Sequence, residues 1–118
     1  MMVLRILQKP AQFREVYNSG RKIEGKCAIV FYYHPGEAAD ETHFGFVASR
    51  RVGNAVKRSR AKRLLREAAR QTAGRLTDNP WIVLVARTGI FNASYQELLA
   101  ELEGQFARAG LLRHDAES

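Results

Sequence analysis

Residues 49–66 read SRRVGNAVKRSRAKRLLR, and this stretch decides the fold that we predict for the chain. Strong helix formers dominate it and continue to residue 73, while Asn54 follows Gly53 in the position of a helix cap. Gly74 stands where a helix terminator is expected. The pattern therefore predicts a central helix over residues 54–73, about 30 Å long at the standard rise.

This helix has two chemically different sides when its residues are placed at 100° intervals. The apolar stripe, which we expect to pack on a sheet, comprises Ala61, Leu64, Leu65, Ala68 and Thr72. The roughly opposite side carries Arg58, Ser59, Lys62, Arg63, Arg66 and Arg70. Like charges three or four residues apart repel by a few tenths of a kcal/mol per pair, so a bound polyanion would stabilise this side.

The excess charge of the protein lies in this one segment. Nine basic residues and one acid, Glu67, fall between residues 50 and 70, whereas the rest of the chain has ten basic and eleven acidic residues. A solvated helix face usually interleaves acids and bases, so the concentration indicates an anionic partner, nucleic acid first. Arginine outnumbers lysine here, which favours folded RNA, although charge alone leaves DNA open.

Outward from the helix, apolar segments predict a sheet. Residues 26–33 (KCAIVFYY) and 43–49 (HFGFVAS) are typical strands, and the short acidic loop at residues 37–42 predicts that they form an antiparallel pair. Residues 81–86 (WIVLVA) are apolar on both faces, as in a central strand buried on two sides. A weaker strand is predicted around residues 22–24.

Two further helices are predicted near the ends of the chain. Residues 10–17 place Phe13, Val16 and Tyr17 on one face, and the Asn-Ser-Gly sequence at residues 18–20 ends that helix. Near the C-terminus, Ser94 and Glu97 form a capping box. The predicted buried stripe of this last helix is Leu98, Leu99, Leu102 and Phe106, and its predicted solvated face is Glu97, Glu101 and Glu103. Residues 113–118 read as a frayed tail.

The element order is thus α-β-β-β-α-β-α, and we predict an α+β fold in which residues 1–118 form a single domain, a sandwich of helices on a sheet. Hydrophobic residues make up 46% of the chain and charged residues 26%, which excludes a disordered protein. No apolar run approaches the roughly 20 residues of a membrane span, and no signal peptide is recognisable, so we expect a cytoplasmic protein without a membrane partner.

The residues suited to catalysis or metal binding are few and scattered. Cys27 lies in an apolar run and is interpreted as a small core residue, with a reactive thiol as the alternative. His34, His43 and His114 show no ligand spacing to Cys27 or to acids, so we expect no metal held by the protein and no catalytic residue. A self-sufficient nuclease lacks its parts.

The central stretch also carries a family resemblance. Residues 49–66, followed by Glu67, resemble the signature of the bacterial ribonuclease P protein family, which typically reads S-K-K-x-G-N-A-V-x-R-N-R-x-K-R. The spacing Phe13-x-x-Val16-Tyr17-x-x-Gly20, the strand at residues 81–86 and the final helix follow the order of that family, so nearly the whole chain is covered. Three positions depart from the pattern: Ser59 replaces the usual Asn, Arg50 and Arg51 replace a Lys pair, and His43 stands where Arg is common.

The resemblance implies that residues 1–118 are a single RNA-binding domain with a mixed sheet, in which the central helix makes a left-handed crossover between parallel strands. It also implies a protein subunit of a ribonucleoprotein endoribonuclease, in which RNA and Mg²⁺ carry out the hydrolysis. Its partners would be the catalytic RNA and the 5′ leader of precursor tRNA, with no obligate protein partner. A ribosomal protein or a general RNA chaperone of similar fold is the alternative.

The resemblance further assigns residues to two surfaces. Contacts with the catalytic RNA would come from Arg50, Arg51, Asn54, Lys57, Arg60, Arg63, Arg66 and Arg70. The leader cleft would consist of Phe13, Tyr17, Ile29 and Phe31, with Arg58, Ser59 and Lys62 at its rim. Without the resemblance, Phe13 and Tyr17 would be interpreted as a buried helix face; with it, we expect them to be partly exposed.

Overall fold

The computed structural model describes residues 4–36 and 41–113, which form three helices and five strands. The elements are β1 (Arg5–Ile6), α1 (Pro10–Ser19), β2 (Arg21–Glu24), β3 (Ala28–Tyr33), β4 (His43–Val47), α2 (Ala55–Thr72), β5 (Trp81–Ala86) and α3 (Tyr95–Arg108). Short 3₁₀ turns follow α2 at Ala73–Arg75 and β5 at Thr88–Asn92. The predicted α+β class and the weak strand are confirmed, and the two-residue β1 was missed because its length leaves no periodic pattern.

All five strands join one mixed sheet in the order β1-β4-β5-β3-β2. Strand β5 runs parallel to β4 and antiparallel to β3, with Leu84 opposite Val30 in one pair and Phe46 in the other. The predicted antiparallel pairing of residues 26–33 with residues 43–49 is therefore wrong, since β5 lies between those strands. A strand that is apolar on both faces is best buried at the centre of a sheet, with both of its edges paired.

The two faces of the sheet are covered by different helices. One core contains Val30, Phe44 and Leu84 together with the buried stripes of α2 and α3. The second, smaller core contains Val83 from the other face of β5 and Val16 from α1. Because successive residues of a strand point to opposite faces, α1 lies on one side of the sheet and both α2 and α3 lie on the other.

Helix α2 begins and packs nearly as predicted. The Asn54 side chain accepts a hydrogen bond from the Lys57 backbone N–H at 3.0 Å. Gly53 has a φ of +144°, and a Cβ there would lie 2.6 Å from the Lys57 Cδ, so this turn requires glycine. The buried stripe includes Ala61, Leu65, Ala68, Ala69 and Thr72, while Leu64 is half-buried. Helix α2 connects the adjacent parallel strands β4 and β5 and so forms a crossover. The left hand predicted for this crossover stays a prediction.

Helix α3 confirms the predicted capping box, because Ser94 and Glu97 exchange side-chain to backbone hydrogen bonds. Its buried residues include Leu98, Leu102 and Phe106, and Leu99 is half-buried. The tail predicted at residues 113–118 lies outside the described residues except for Arg113, and so does most of the acidic loop at residues 37–42. Within the described ranges, no helix has the length and apolarity of a membrane span.

The prediction that Glu101 belongs to a solvated face is wrong. Its carboxylate is partly buried and accepts hydrogen bonds from the backbone N–H groups of Lys26, Cys27 and Ala28, at distances of 2.9–3.2 Å. The neighbouring Gln105 side chain is buried and donates to the carbonyl oxygens of Ile23 and Ala28. Helix α3 thus holds the turn that leads into β3, through contacts about 75 residues apart in sequence.

We predict that Glu101→Gln lowers the free energy of unfolding by about 1–3 kcal/mol, measured by urea denaturation. The amide has one acceptor oxygen, and its NH₂ group would face the backbone donors of residues 26–28. The matched control is Glu103→Gln, which removes an exposed ion pair with Arg75 and should cost less than about 1 kcal/mol. Equal losses in both variants would contradict this assignment.

Candidate nucleic-acid interface

The turn between β4 and α2 presents two arginines to solvent. Backbone hydrogen bonds from Val52 to Ser49 and from Gly53 to Arg50 close the turn at 3.0 and 3.2 Å. The side chains of Arg50 and Arg51 are exposed, and neither pairs with a carboxylate among the described residues. Asn54, predicted as an RNA contact, uses its side-chain oxygen for the helix cap.

The basic residues of α2 differ between the two ends of the helix. In the N-terminal part, Lys57, Arg60 and Arg63 are exposed and form no ion pair with any described residue. In the C-terminal part, the Arg66 guanidinium lies 5.3 Å from the centre of the Phe46 ring, and Arg70 pairs with Glu67. The freely available charge is thus concentrated in the first half of the helix.

An aromatic cluster lies on the opposite face of the sheet, beneath α1. The rings of Tyr17 and Phe31 meet edge to face with centroids 4.9 Å apart, and burial raises the pKa of the Tyr17 phenol. The Phe13 ring occupies the space above Gly45, where a Cβ would collide with it. Tyr17 is 40% exposed and Phe13 is half-buried, so both are partly exposed as expected, and Val16 is the buried residue of the helix.

The predicted rim of the cleft lies on a different helix from its aromatic residues, and its contact with the leader stays a prediction. Arg58, Ser59 and Lys62 project from α2, which packs on the other face of the sheet from α1. The structure brings Phe13, Tyr17 and Phe31 together around α1, and Ile29 lies on the same face of β3 two residues from Phe31. Arg58 and Lys62 are half-buried and Ser59 is exposed at the side of α2.

A cavity with polar residues at its border lies next to Ile29. This cavity of about 400 Å³ extends from Ile29 and Val85 to Arg51, Arg87 and Thr88. Parallel strands end at the same edge of a sheet, which is why the residues after β4 and after β5 meet there. Sequence reasoning missed Arg87 and Thr88, although a lone cation directly after a buried strand was the available signal.

This edge of the sheet is further ordered by Arg87. Its guanidinium donates to the carbonyl oxygen of Gly25 at 3.1 Å and lies 3.6 Å from the Glu24 carboxylate. Its backbone N–H donates to the carbonyl oxygen of Cys27 at 2.8 Å. The Arg87 side chain is therefore anchored to the turn before β3 while still bordering the cavity.

His43 and Cys27, which the sequence offered as candidates for chemistry, have structural roles. His43 lies at the start of β4, its Nδ1 is 3.2 Å from the Glu41 carbonyl oxygen, and its ring meets Trp81 edge to face. Cys27 is 2% exposed, which confirms it as a core residue. Burial and the neighbouring Glu101 raise the pKa of the Cys27 thiol to about 11. Among the residues that the structure describes, no group of three or more His, Cys, Asp and Glu could hold a metal ion.

Fold and surface together define a small α+β protein of the RNA-binding class, with a cationic helix on one face of its sheet and a partly exposed aromatic cluster on the other. A family model described as Ribonuclease P matches residues 1–110. The chain belongs to the ribonuclease P protein family. It is accordingly the protein subunit of a ribonucleoprotein endoribonuclease that acts in tRNA 5′ maturation.

Individual members of the family are similar to this chain over most of their length. The ribonuclease P protein component of Symbiobacterium thermophilum is 38% identical, covering 92% of this chain and 94% of its own. That of Syntrophomonas wolfei is 33% identical, covering 89% and 87%. The fold is shared with the ribonuclease P proteins of Staphylococcus aureus (TM-score 0.80, 22% identity, 95% and 100% coverage) and Thermotoga maritima (TM-score 0.76, 21% identity, 88% and 96% coverage).

We predict that Cys27 in the native protein resists an aromatic disulfide reagent at pH 8, because a thiol with a pKa near 11 is protonated there and the side chain is enclosed. The measurement is the rate of thiolate release with and without guanidinium, with free cysteine as the control. Labelling should track unfolding and reach one equivalent only in the unfolded chain. Rapid stoichiometric labelling of the native protein would show a reactive thiol.

Proposed function

We propose that this protein binds the catalytic RNA of ribonuclease P through the turn at residues 49–54 and α2, and binds the 5′ leader of precursor tRNA in the cleft beneath α1. In this way it promotes Mg²⁺-dependent removal of the leader by the RNA. The observation that carries the proposal is that the exposed cations in the first half of α2, which have no acid partner among the described residues, lie on the opposite side of the sheet from a partly exposed aromatic cluster.

The cationic surface suits a folded RNA partner. Lys57, Arg60 and Arg63 are exposed without acid partners in the described chain, and Arg50 and Arg51 extend the same positive charge around the helix start. Arginine binds phosphate through two parallel hydrogen bonds, and phosphate neutralisation releases counterions from the RNA. Phosphate contacts by these side chains would also relieve the like-charge repulsion within α2.

The cleft suits a single strand rather than a duplex. Tyr17 and Phe31 present aromatic edges and faces at the surface, and single-stranded nucleic acid is commonly held by stacking of its bases on such rings. Arg51 borders the adjoining cavity and supplies positive charge for the backbone of the strand, whereas the charge of Arg87 is partly compensated by Glu24. The 5′ leader is single-stranded and is absent from mature tRNA, which is why the cleft is assigned to it.

Hydrolysis in this proposal belongs to the RNA. Mg²⁺ held by RNA phosphates would generate the nucleophile and stabilise the leaving oxygen. The protein strengthens precursor binding and lowers the electrostatic repulsion between the two RNAs, which allows the reaction at lower Mg²⁺ concentration. A buried, protonated Cys27 accords with a reducing cytoplasm, where we place the complex.

The first prediction of this proposal concerns cleavage at low Mg²⁺ concentration. Addition of the protein to a bacterial ribonuclease P RNA should stimulate cleavage of a precursor tRNA. Phe13→Ala and Tyr17→Ala should each weaken precursor binding by about 1–3 kcal/mol, or roughly 5- to 150-fold, because a stacking partner is lost. The affinity of the complex between the RNA and each variant protein for mature tRNA, which has no leader, should stay unchanged. This measurement is the control for folding of the variants.

The outcomes separate the alternatives. A general RNA chaperone does not require the cleft, so both variants would lower the affinities for precursor and mature tRNA equally or leave both unchanged. Absence of stimulation by the wild-type protein, or cleavage by the protein without RNA, would overturn the proposal.

A second prediction concerns salt. The affinity for ribonuclease P RNA should fall steeply with KCl concentration, and Arg60→Ala should reduce the magnitude of the slope of log K against log [KCl] by about one. Arg75→Ala removes the same charge from an arginine that is paired with Glu103, and should leave the slope unchanged. Identical slopes for the wild type and both variants would argue against a phosphate contact by Arg60.

A further inference from the structure

Val56, in the first turn of α2, is the most exposed large hydrophobic side chain among the described residues. It is 77% exposed, whereas the next, Tyr17 and Ile6, are 40% and 39% exposed. A β-branched residue is also a poorer helix former than Ala, Lys or Arg at a solvent-facing position. A single exposed aliphatic side chain is common on protein surfaces, so only its surroundings can indicate a function for Val56.

Those surroundings are the centre of the outward face of α2. At 100° per residue, Val56 lies about 160° around the helix from the middle of the buried stripe, close to the direction opposite the core. Arg60 and Arg63 follow at i+4 and i+7, so they lie on the same line of the helix surface. Both arginines are exposed.

Charge along this face is distributed unevenly. Toward the C-terminus, Glu67 neutralises Arg70, and Arg66 lies over the Phe46 ring. Around Val56, by contrast, Arg60 and Arg63 have no acid partner in the described part of the chain. The most exposed apolar group of the helix therefore lies where its positive charge is least compensated, and charge complementarity selects a polyanion that also offers apolar surface.

We propose that Val56 packs its methyl groups against a ribose or base face of ribonuclease P RNA, between phosphates bound by Arg60 and Arg63. The proposal rests on the RNA partnership proposed above. Ribose and base faces supply the apolar surface that phosphates lack. Val56 then contributes the part of the affinity that does not depend on salt, while the arginines contribute the part that does.

The test is the affinity for ribonuclease P RNA over a range of KCl concentrations. Val56→Ala and Val56→Thr should bind roughly four- to fifteenfold more weakly at every concentration, as expected from one or two methyl groups left unburied, with the slope unchanged. Val56→Ile should retain wild-type affinity. Ile6→Ala, which shortens an exposed side chain on β1, is the matched control and should bind like the wild type.

The readouts distinguish the possible failures. Because Val56 is exposed, its variants should show wild-type circular dichroism and thermal unfolding, so a loss of affinity cannot be assigned to misfolding. If the wild-type protein binds the RNA and Val56→Ala and Val56→Thr bind equally well, the role of Val56 is overturned while the proposed function stands. If the wild-type protein does not bind the RNA, the proposed function itself fails.

Discussion

The burial of β5 on both faces is the constraint on which the rest of the structure depends. Ile82 and Leu84 point into the core beneath α2 and α3, and Val83 points into the core beneath α1. Such a strand loses water from both sides only if helices cover each face and other strands pair with each edge. This requirement places β4 and β3 on either side of β5, and places the aromatic helix α1 and the cationic helix α2 on opposite faces of the sheet.

The separation of the faces lets one small protein present two kinds of surface. Helix α2 buries a narrow stripe of small residues and Leu65, so its cations need not enter the core. The smaller core beneath α1 leaves Phe13 and Tyr17 partly exposed. The ends of the strands lie between the cationic helix and the aromatic cluster. There Arg51, after β4, and Arg87, after β5, both border the cavity beside Ile29 and Val85.

The basic residues of α2 lower the stability of the free protein, but they provide its charge for RNA binding. Uncompensated like charges at helical spacing destabilise the free protein by a few tenths of a kcal/mol per pair. Outside the first half of α2, several acids have partners within the fold: Glu67 pairs with Arg70, Glu103 pairs with Arg75, and the Glu101 carboxylate caps the turn before β3. The acids are thus used away from the first half of α2, which leaves its charge available to an anionic partner.

The sequence by itself determined the local features: the cap at Asn54, the capping box at Ser94, the strand at residues 81–86, and the concentration of charge that indicated a nucleic-acid-binding protein. These depend on periodicity, capping and composition, which neighbouring residues encode. Only the tertiary structure decided that β5 separates β3 from β4, that the Glu101 carboxylate accepts hydrogen bonds from the backbone of residues 26–28, and that Arg87 borders the cavity beside Ile29. The physical reason is that strand order and buried polar contacts join residues distant in the chain, such as Lys26 and Glu101, which no local pattern relates.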